Sequence, residues 1–182
     1  MGEDSLARPQ WLEIVHWDDV TSISRCEKEE LYALFVRFFK EHQSWVTNSP
    51  RSVPFDCFDK ALYGDTLISV AKCLGRIVGF VSGKLSHDEV LIISSVFVHY
   101  DVRKFGVAEH LLREIIANYS VREVVATVCA RNRAARRLFA RIGFNDECSY
   151  GWCGYRLKTT GINNNDRNQA GFSTTGIDRI TR

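Results

Sequence analysis

The sequence predicts a mixed α/β domain, and three observations carry that expectation. Apolar residues recur at helical spacing in separate stretches that alternate with β-rich runs. In chain order these read strand, helices, hairpin, strand, helix, strand, helix, strand. The glycine-bearing turn that opens a helix follows a late strand, whereas a doubly wound dinucleotide fold carries it after the first.

Residues 11–17 alternate loosely and predict a first strand. Ser24 and Glu27 stand at capping-box spacing. Leu31, Leu34, Phe35, Phe38 and Phe39 then make one apolar stripe, so a helix here must lie on a sheet. Residues 47–53 are polar and read as a loop, and 55–63 as a short helix stopped by Gly64. Residues 66–73 and 77–84 are β-rich and split by Leu74-Gly75-Arg76, a hairpin signal. Residues 90–98, rich in Ile and Val, predict a central strand buried on both faces. Ala108, Leu111, Leu112, Ile115, Ile116 and Tyr119 mark a second helix, and residues 123–129 another strand. Ala135, Leu138, Phe139 and Ile142 mark a third helix closed by Gly143, and 150–158 a last strand.

A chain of 182 residues suits one domain, expected over 1–158, and 45% hydrophobic residues allow a real core. Residues 159–182 turn polar and predict a flexible tail, or alternatively an arm folded over a second subunit of a homodimer. The formal charge of +2, from 24 basic and 22 acidic residues, argues against a general nucleic-acid binder. Cys26, Cys57, Cys73, Cys129, Cys148 and Cys153 form no Cys-x-x-Cys pair, and no histidines stand at zinc-finger spacing, so no metal is expected. Scattered cysteines fit a reducing compartment better than a disulfide scaffold. The N-terminal residues lack a signal-peptide pattern, Leu6 breaks the myristoylation pattern, and no apolar run is long enough to cross a bilayer. These features predict a cytoplasmic protein with no membrane partner.

Chemistry concentrates in Arg103-Lys104-Phe105-Gly106-Val107-Ala108, where a strand gives way to an amphipathic helix. Free N–H groups and the positive dipole end of a helix suit a phosphate, and Gly106 lets the backbone approach it. A second signature runs from Asn132 through Ala135 and Phe139 to Gly143-Phe144. Arg-x-x-Gly-x-Ala followed by this Asn, Ala, aromatic, Gly-Phe run resembles the GCN5-related N-acetyltransferase (GNAT) family over residues 11–158.

The resemblance implies a mostly antiparallel central sheet with a splayed strand and flanking helices, and acetyl-CoA as co-substrate. Val96, Phe97 and Val98 would offer backbone groups to the pantetheine arm. Arg103, Lys104, Phe105, Gly106, Val107 and Ala108 would bind the pyrophosphate. Asn132 would bond the pantetheine, and Ala135 and Phe139 would flank the thioester. Arg131, Arg133, Arg136, Arg137 and Arg141 crowd one helix. They read as a solvated face, as a contact for the CoA 3′-phosphate from Arg133 or Arg136, or as a patch for an acidic macromolecule.

The chain departs from the family where acid and base are expected. Acidic residues are replaced by Ser94, Ser95 and Thr127, and the usual tyrosine by Phe139. Ser94 and Thr127 hydroxyls could hold a water, and positioning alone can lower the barrier. Tyr150 is the favoured proton donor, with Tyr155 beside it, while Glu89, His99 and Cys129 are weaker substitutes. Gly151-Trp152 resembles the last part of the polyamine acetyltransferases of that family and favours a small-molecule amine acceptor. A protein N-terminus or lysine, and a catalytically weak acyl-CoA-binding module, are the alternatives.

Overall fold

The computed structural model describes residues 8–17, 21, 23–42, 66–149 and 151–159. Strand β1 (Leu12–Trp17) is followed by helix α1 (Arg25–His42) and the strands β2 (Thr66–Cys73), β3 (Arg76–Leu85) and β4 (Val90–Val98). Helix α2 (Val107–Asn118), β5 (Glu123–Cys129), α3 (Arg133–Ile142), β6 (Asn145–Ser149) and β7 (Trp152–Lys158) complete it. The strands form one sheet in the order β1-β2-β3-β4-β5-β7-β6. Every neighbouring pair is antiparallel except β4 and β5. The expected loop over 47–53, the short helix over 55–63, Tyr150 and the tail beyond 159 lie outside the described residues.

Local chemistry accounts for the element boundaries. At the start of α1 the Glu27 N–H donates to Ser24 Oγ at 3.3 Å and the Ser24 N–H donates to the Glu27 carboxylate at 3.2 Å. This reciprocal pair satisfies N–H groups that the first helical turn leaves unbonded. The β2–β3 turn places Leu74 (φ 50°) and Gly75 (φ 76°) in the left-handed region, the two-residue geometry that matches strand twist. Gly143 closes α3 at φ 101°, and the Phe144 N–H reaches back to Phe139 O at 3.1 Å.

The two faces of the sheet are covered unequally. Leu111, Leu112 and Ile115 of α2 are fully buried against Val81, Leu91 and Val124 of the sheet. Truncating one such leucine to alanine costs about 2–5 kcal/mol. On the other face Leu31 and Leu34 of α1 pack with Trp17, Ile68, Phe80 and Phe97. That helix covers the β1–β4 side, and among the described residues no element covers the same face of β5 and β7.

Two expectations are corrected and one strand is added. β4 is not buried on both faces, because Ser94 is exposed and Ile92 is 43% exposed on the open side. The expected last strand is present as β7, and the polar edge segment Asn145–Ser149, which was not expected, pairs with it. Cys148 and Cys153 are joined by a disulfide, as they face each other across that hairpin, whereas Cys26, Cys73 and Cys129 are free thiols. Among the described residues no helix is long and apolar enough to cross a membrane.

Candidate active site

The central feature is a gap between two parallel strands. Pairing of β4 with β5 runs from Val90↔Glu123 to Ile93↔Ala126 and ends there. Beyond that point β4 stays paired with β3 as far as Val98↔Gly79, and β5 with β7 as far as Cys129↔Trp152. The two strands therefore diverge with their outer edges still held. The divergence begins at a bulge: Ser95 faces Ser82 and Ile93 faces Gly83, which leaves Ser94 as the extra residue. Gly83 is required there, because a Cβ on it would sit 2.8 Å from the Ile92 carbonyl oxygen.

The bulge also reverses which side chains face which layer. Before it Leu91 and Ile93 face α2, and after it Val96 and Val98 do, while Phe97 turns to α1. The His99 N–H donates to Val78 O at 2.8 Å, so position 99 points its backbone at β3. Backbone groups alternate along an antiparallel ladder, so those of Val96 and Val98 point into the gap. An extended amide-bearing arm can add to such an edge as a peptide strand does.

The turn after β4 has backbone geometry suited to an anion. Lys104 (φ 72°) and Gly106 (φ 75°) are both left-handed, and Gly106 caps α2 without a side-chain hydrogen bond to its first turn. Those N–H groups and the helix dipole suit phosphate oxygens. Val107 is buried in the core and anchors the turn. Lys104 is exposed, and Phe105, 57% exposed, meets Trp11 edge-on at 5.8 Å.

Arg103 is engaged elsewhere. Its Nε donates to Val98 O at 2.9 Å, its Nη2 meets the Glu41 carboxylate at 2.6 Å, and its guanidinium lies over the Phe97 ring at 5.6 Å. It ties the end of α1 to the exit of β4. Beside it, Arg37 bonds His99 at the rim of a cavity of about 420 Å³ that is also lined by Leu34, Ile77 and Val102. This cavity lies under α1 and not in the gap.

On the far side of the gap, α3 begins at Asn132, whose Oδ1 accepts the Ala135 N–H at 3.1 Å. Ala135 is half-buried beside the core. Phe139 is buried, stacked on Tyr155 at 5.1 Å and edge-on to Phe144 at 5.0 Å. Arg136 donates through Nε to the Tyr155 hydroxyl at 3.3 Å, and its Nη2 lies 3.7 Å from Asp146. The Tyr155 hydroxyl bond, with Asp146 adding charge, raises the guanidinium pKa further. Arg141 lies 3.6 Å from Glu109 of α2, whose other oxygen receives Arg113 at 3.0 Å. Arg131, Arg133 and Arg137 have no ion pair among the described residues, and all three are exposed.

Of the sequence-predicted catalytic groups, Ser94 and Thr127 are exposed where the strands part, while Tyr150 lies outside the described residues. Thr127 pairs with Gly154, and Gly154 with Glu147. Sequence reasoning missed Glu41 and Glu147, because both are placed by tertiary and cross-strand pairing that no local pattern records.

The Acetyltransferase (GNAT) family model matches residues 17–144. No curated protein sequence matches the chain. Among solved structures, the PaiA N-acetyltransferase of Thermoplasma acidophilum in complex with coenzyme A superposes at TM-score 0.65 and 12% identity, covering 81% of this chain and 99% of that one. An N-acetyltransferase from Staphylococcus aureus Mu50 gives TM-score 0.62 at 16% identity, with 80% and 98% covered. Arabidopsis thaliana NAA60 in complex with a bisubstrate analogue gives 0.56 at 21%, with 82% and 100% covered.

Proposed function

This chain belongs to the GNAT acetyltransferase family, and on that premise we propose that it transfers the acetyl group of acetyl-CoA to a primary amine, a small molecule before a protein. The observation that carries the reading is the parting of β4 from β5 at Ile93↔Ala126 beside the glycine-capped start of α2. A long, thin thioester with a diphosphate at one end fits a slot with an anion cradle at its mouth.

In this reading the backbone of Val96 and Val98 bonds the pantetheine arm in the gap, with Phe97 between them. The turn from Arg103 through Lys104, Phe105 and Gly106 to Val107 and Ala108 holds the pyrophosphate by main-chain N–H groups. Arg103 acts there as a strut, because its side chain is spent on Val98 O and Glu41. Arg133, exposed at the start of α3, meets the 3′-phosphate, since Arg136 is engaged with Tyr155. Asn132 caps α3 through Oδ1 and keeps its amide N–H groups for the pantetheine. Ala135 and Phe139 flank the thioester end.

The acceptor approaches from the open face, where Ser94 and Thr127 border the slot and hold water for the amine. Tyr150 protonates the leaving thiolate, with Tyr155 as the second phenol near α3. Holding amine and thioester together supplies much of the rate, which suits a site with few charged groups. The test is release of free CoA thiol across a panel of small amines, lysine peptides and peptide N-termini. Small amines should give the highest kcat/KM. Release with peptides alone would move the acceptor to protein, and tight acetyl-CoA binding with no amine-dependent release would make the chain a binding module.

A further inference from the structure

One row of residues crosses the open face and ends at the slot. Glu147 on β6 pairs with Gly154 on β7, which pairs with Thr127 on β5, and the parting of β4 from β5 lies beside Thr127. Strand alternation places these three positions on one face. The opposite face takes Asp146, which meets Arg136, and Tyr155, which is buried under α3. Glu147 is exposed and has no ion pair among the described residues. On the same face of the adjoining strands, Glu123 is paired with Arg156 at 2.9 Å, and Lys158 and the free thiol Cys129 complete the titratable groups.

Gly154 makes the row passable. Among the described residues a Cβ built there would meet only the Glu147 backbone oxygen, at 3.7 Å, so none of them fills the space above it. Glu147 and Thr127 stand two strand spacings apart, about 10 Å between Cα atoms. A glutamate side chain and a threonine hydroxyl reaching toward each other over a glycine leave room for about one water, which is within the reach of a general base.

We infer that Glu147 is the proton acceptor for the attacking amine, working across Gly154 through a water held by the Thr127 hydroxyl. The inference rests on the amine-acetylation reading. The ammonium of the acceptor gives one proton through that water to the Glu147 carboxylate. The freed lone pair forms the N–C bond to the acetyl carbon, and collapse of the adduct breaks the C–S bond. The remaining excess N–H proton passes to solvent, and the thiolate takes a proton from a phenol that solvent restores. Glu147 thereby does the work of the acidic residue absent at Ser94 and Thr127.

The pH dependence of kcat/KM for the amine tests this with Glu147→Gln. At neutral pH the variant should be about a hundredfold slower, with acetyl-CoA affinity and melting temperature unchanged. Its deficit should shrink as pH rises toward the pKa of the acceptor amine, because hydroxide then removes the proton. Gly154→Val, which blocks the row without a backbone clash, should slow the reaction similarly. A Glu147→Gln rate equal to wild type, or one lowered by the same factor at every pH, overturns the inference and leaves acetyl transfer standing. Wild-type protein that binds acetyl-CoA but releases no thiol with any amine overturns both.

Discussion

Arg103, the first residue of a turn that the family motif assigns to phosphate, meets Glu41 at 2.6 Å and joins the exit of β4 to the last turn of α1. In the proposed reading the contact divides the motif between a side chain that braces and a backbone that binds. Both partners are partly exposed, so their ion pair is worth at most about 1 kcal/mol. Glu41→Gln should therefore change the acetyl-CoA dissociation constant by less than about threefold by calorimetry. Arg103→Ala also removes the donor to Val98 O, which shapes the turn, and should weaken binding about tenfold, a loss of roughly 1.4 kcal/mol. Arg103→Lys should recover little, because one ammonium cannot bridge both acceptors as a planar fork does.

Gly106→Val should separate the cradle from the core. Gly106 sits at φ 75°, where a non-glycine residue costs about 1–2 kcal/mol. The added side chain also crowds the N–H groups of the first turn of α2. The melting temperature should fall by a few degrees, as about 1–2 kcal/mol implies for a domain this size. Acetyl-CoA affinity should fall by more than tenfold.

Arg133→Ala should weaken binding of CoA but leave dephospho-CoA unaffected, because the two ligands differ only in the 3′-phosphate. Arg136→Ala should instead lower the melting temperature, since Arg136 spans Tyr155 and Asp146. Equal losses for CoA and dephospho-CoA with Arg133→Ala would remove that residue from the phosphate site.

Acid should loosen α1. The hydrogen bond from Lys72, at 2.7 Å, and that from the Ser24 hydroxyl hold the Glu27 carboxyl below its ordinary value of 4.5. A carboxylate with a depressed folded-state pKa stabilises the fold above its unfolded value, and that stability is lost as pH falls through the folded value. Urea midpoints should therefore drop for wild type below pH 4.5. Glu27→Gln should start lower at neutral pH, and the gap between the two proteins should close on acidification.

What could be read from the chain and what could not follows from the range of each interaction. The Ser24–Glu27 box and the Gly143 cap are written in neighbouring residues and appear as expected. The turn from Arg103 to Ala108 was legible for the same reason. Asn145–Ser149 was not, because an exposed polar edge strand carries little hydrophobic alternation and is fixed by its pairing with β7. The bulge at Ser94 left no mark either, since two serines in a strand are compatible with regular pairing. It nonetheless decides where β4 parts from β5 and which side chains line each face. The carboxylate at 147 was hidden because it reaches the row of Thr127 only through two strand pairings.

The most direct measurement is mass spectrometry of the small-molecule products after the chain is incubated with acetyl-CoA and a primary amine. The account predicts acetylated amine and free CoA in equal amounts, both formed more than tenfold more slowly at subsaturating acetyl-CoA when Gly106→Val replaces the wild type. Acetyl-CoA recovered bound and intact, with no acetylated amine from any acceptor, would contradict it.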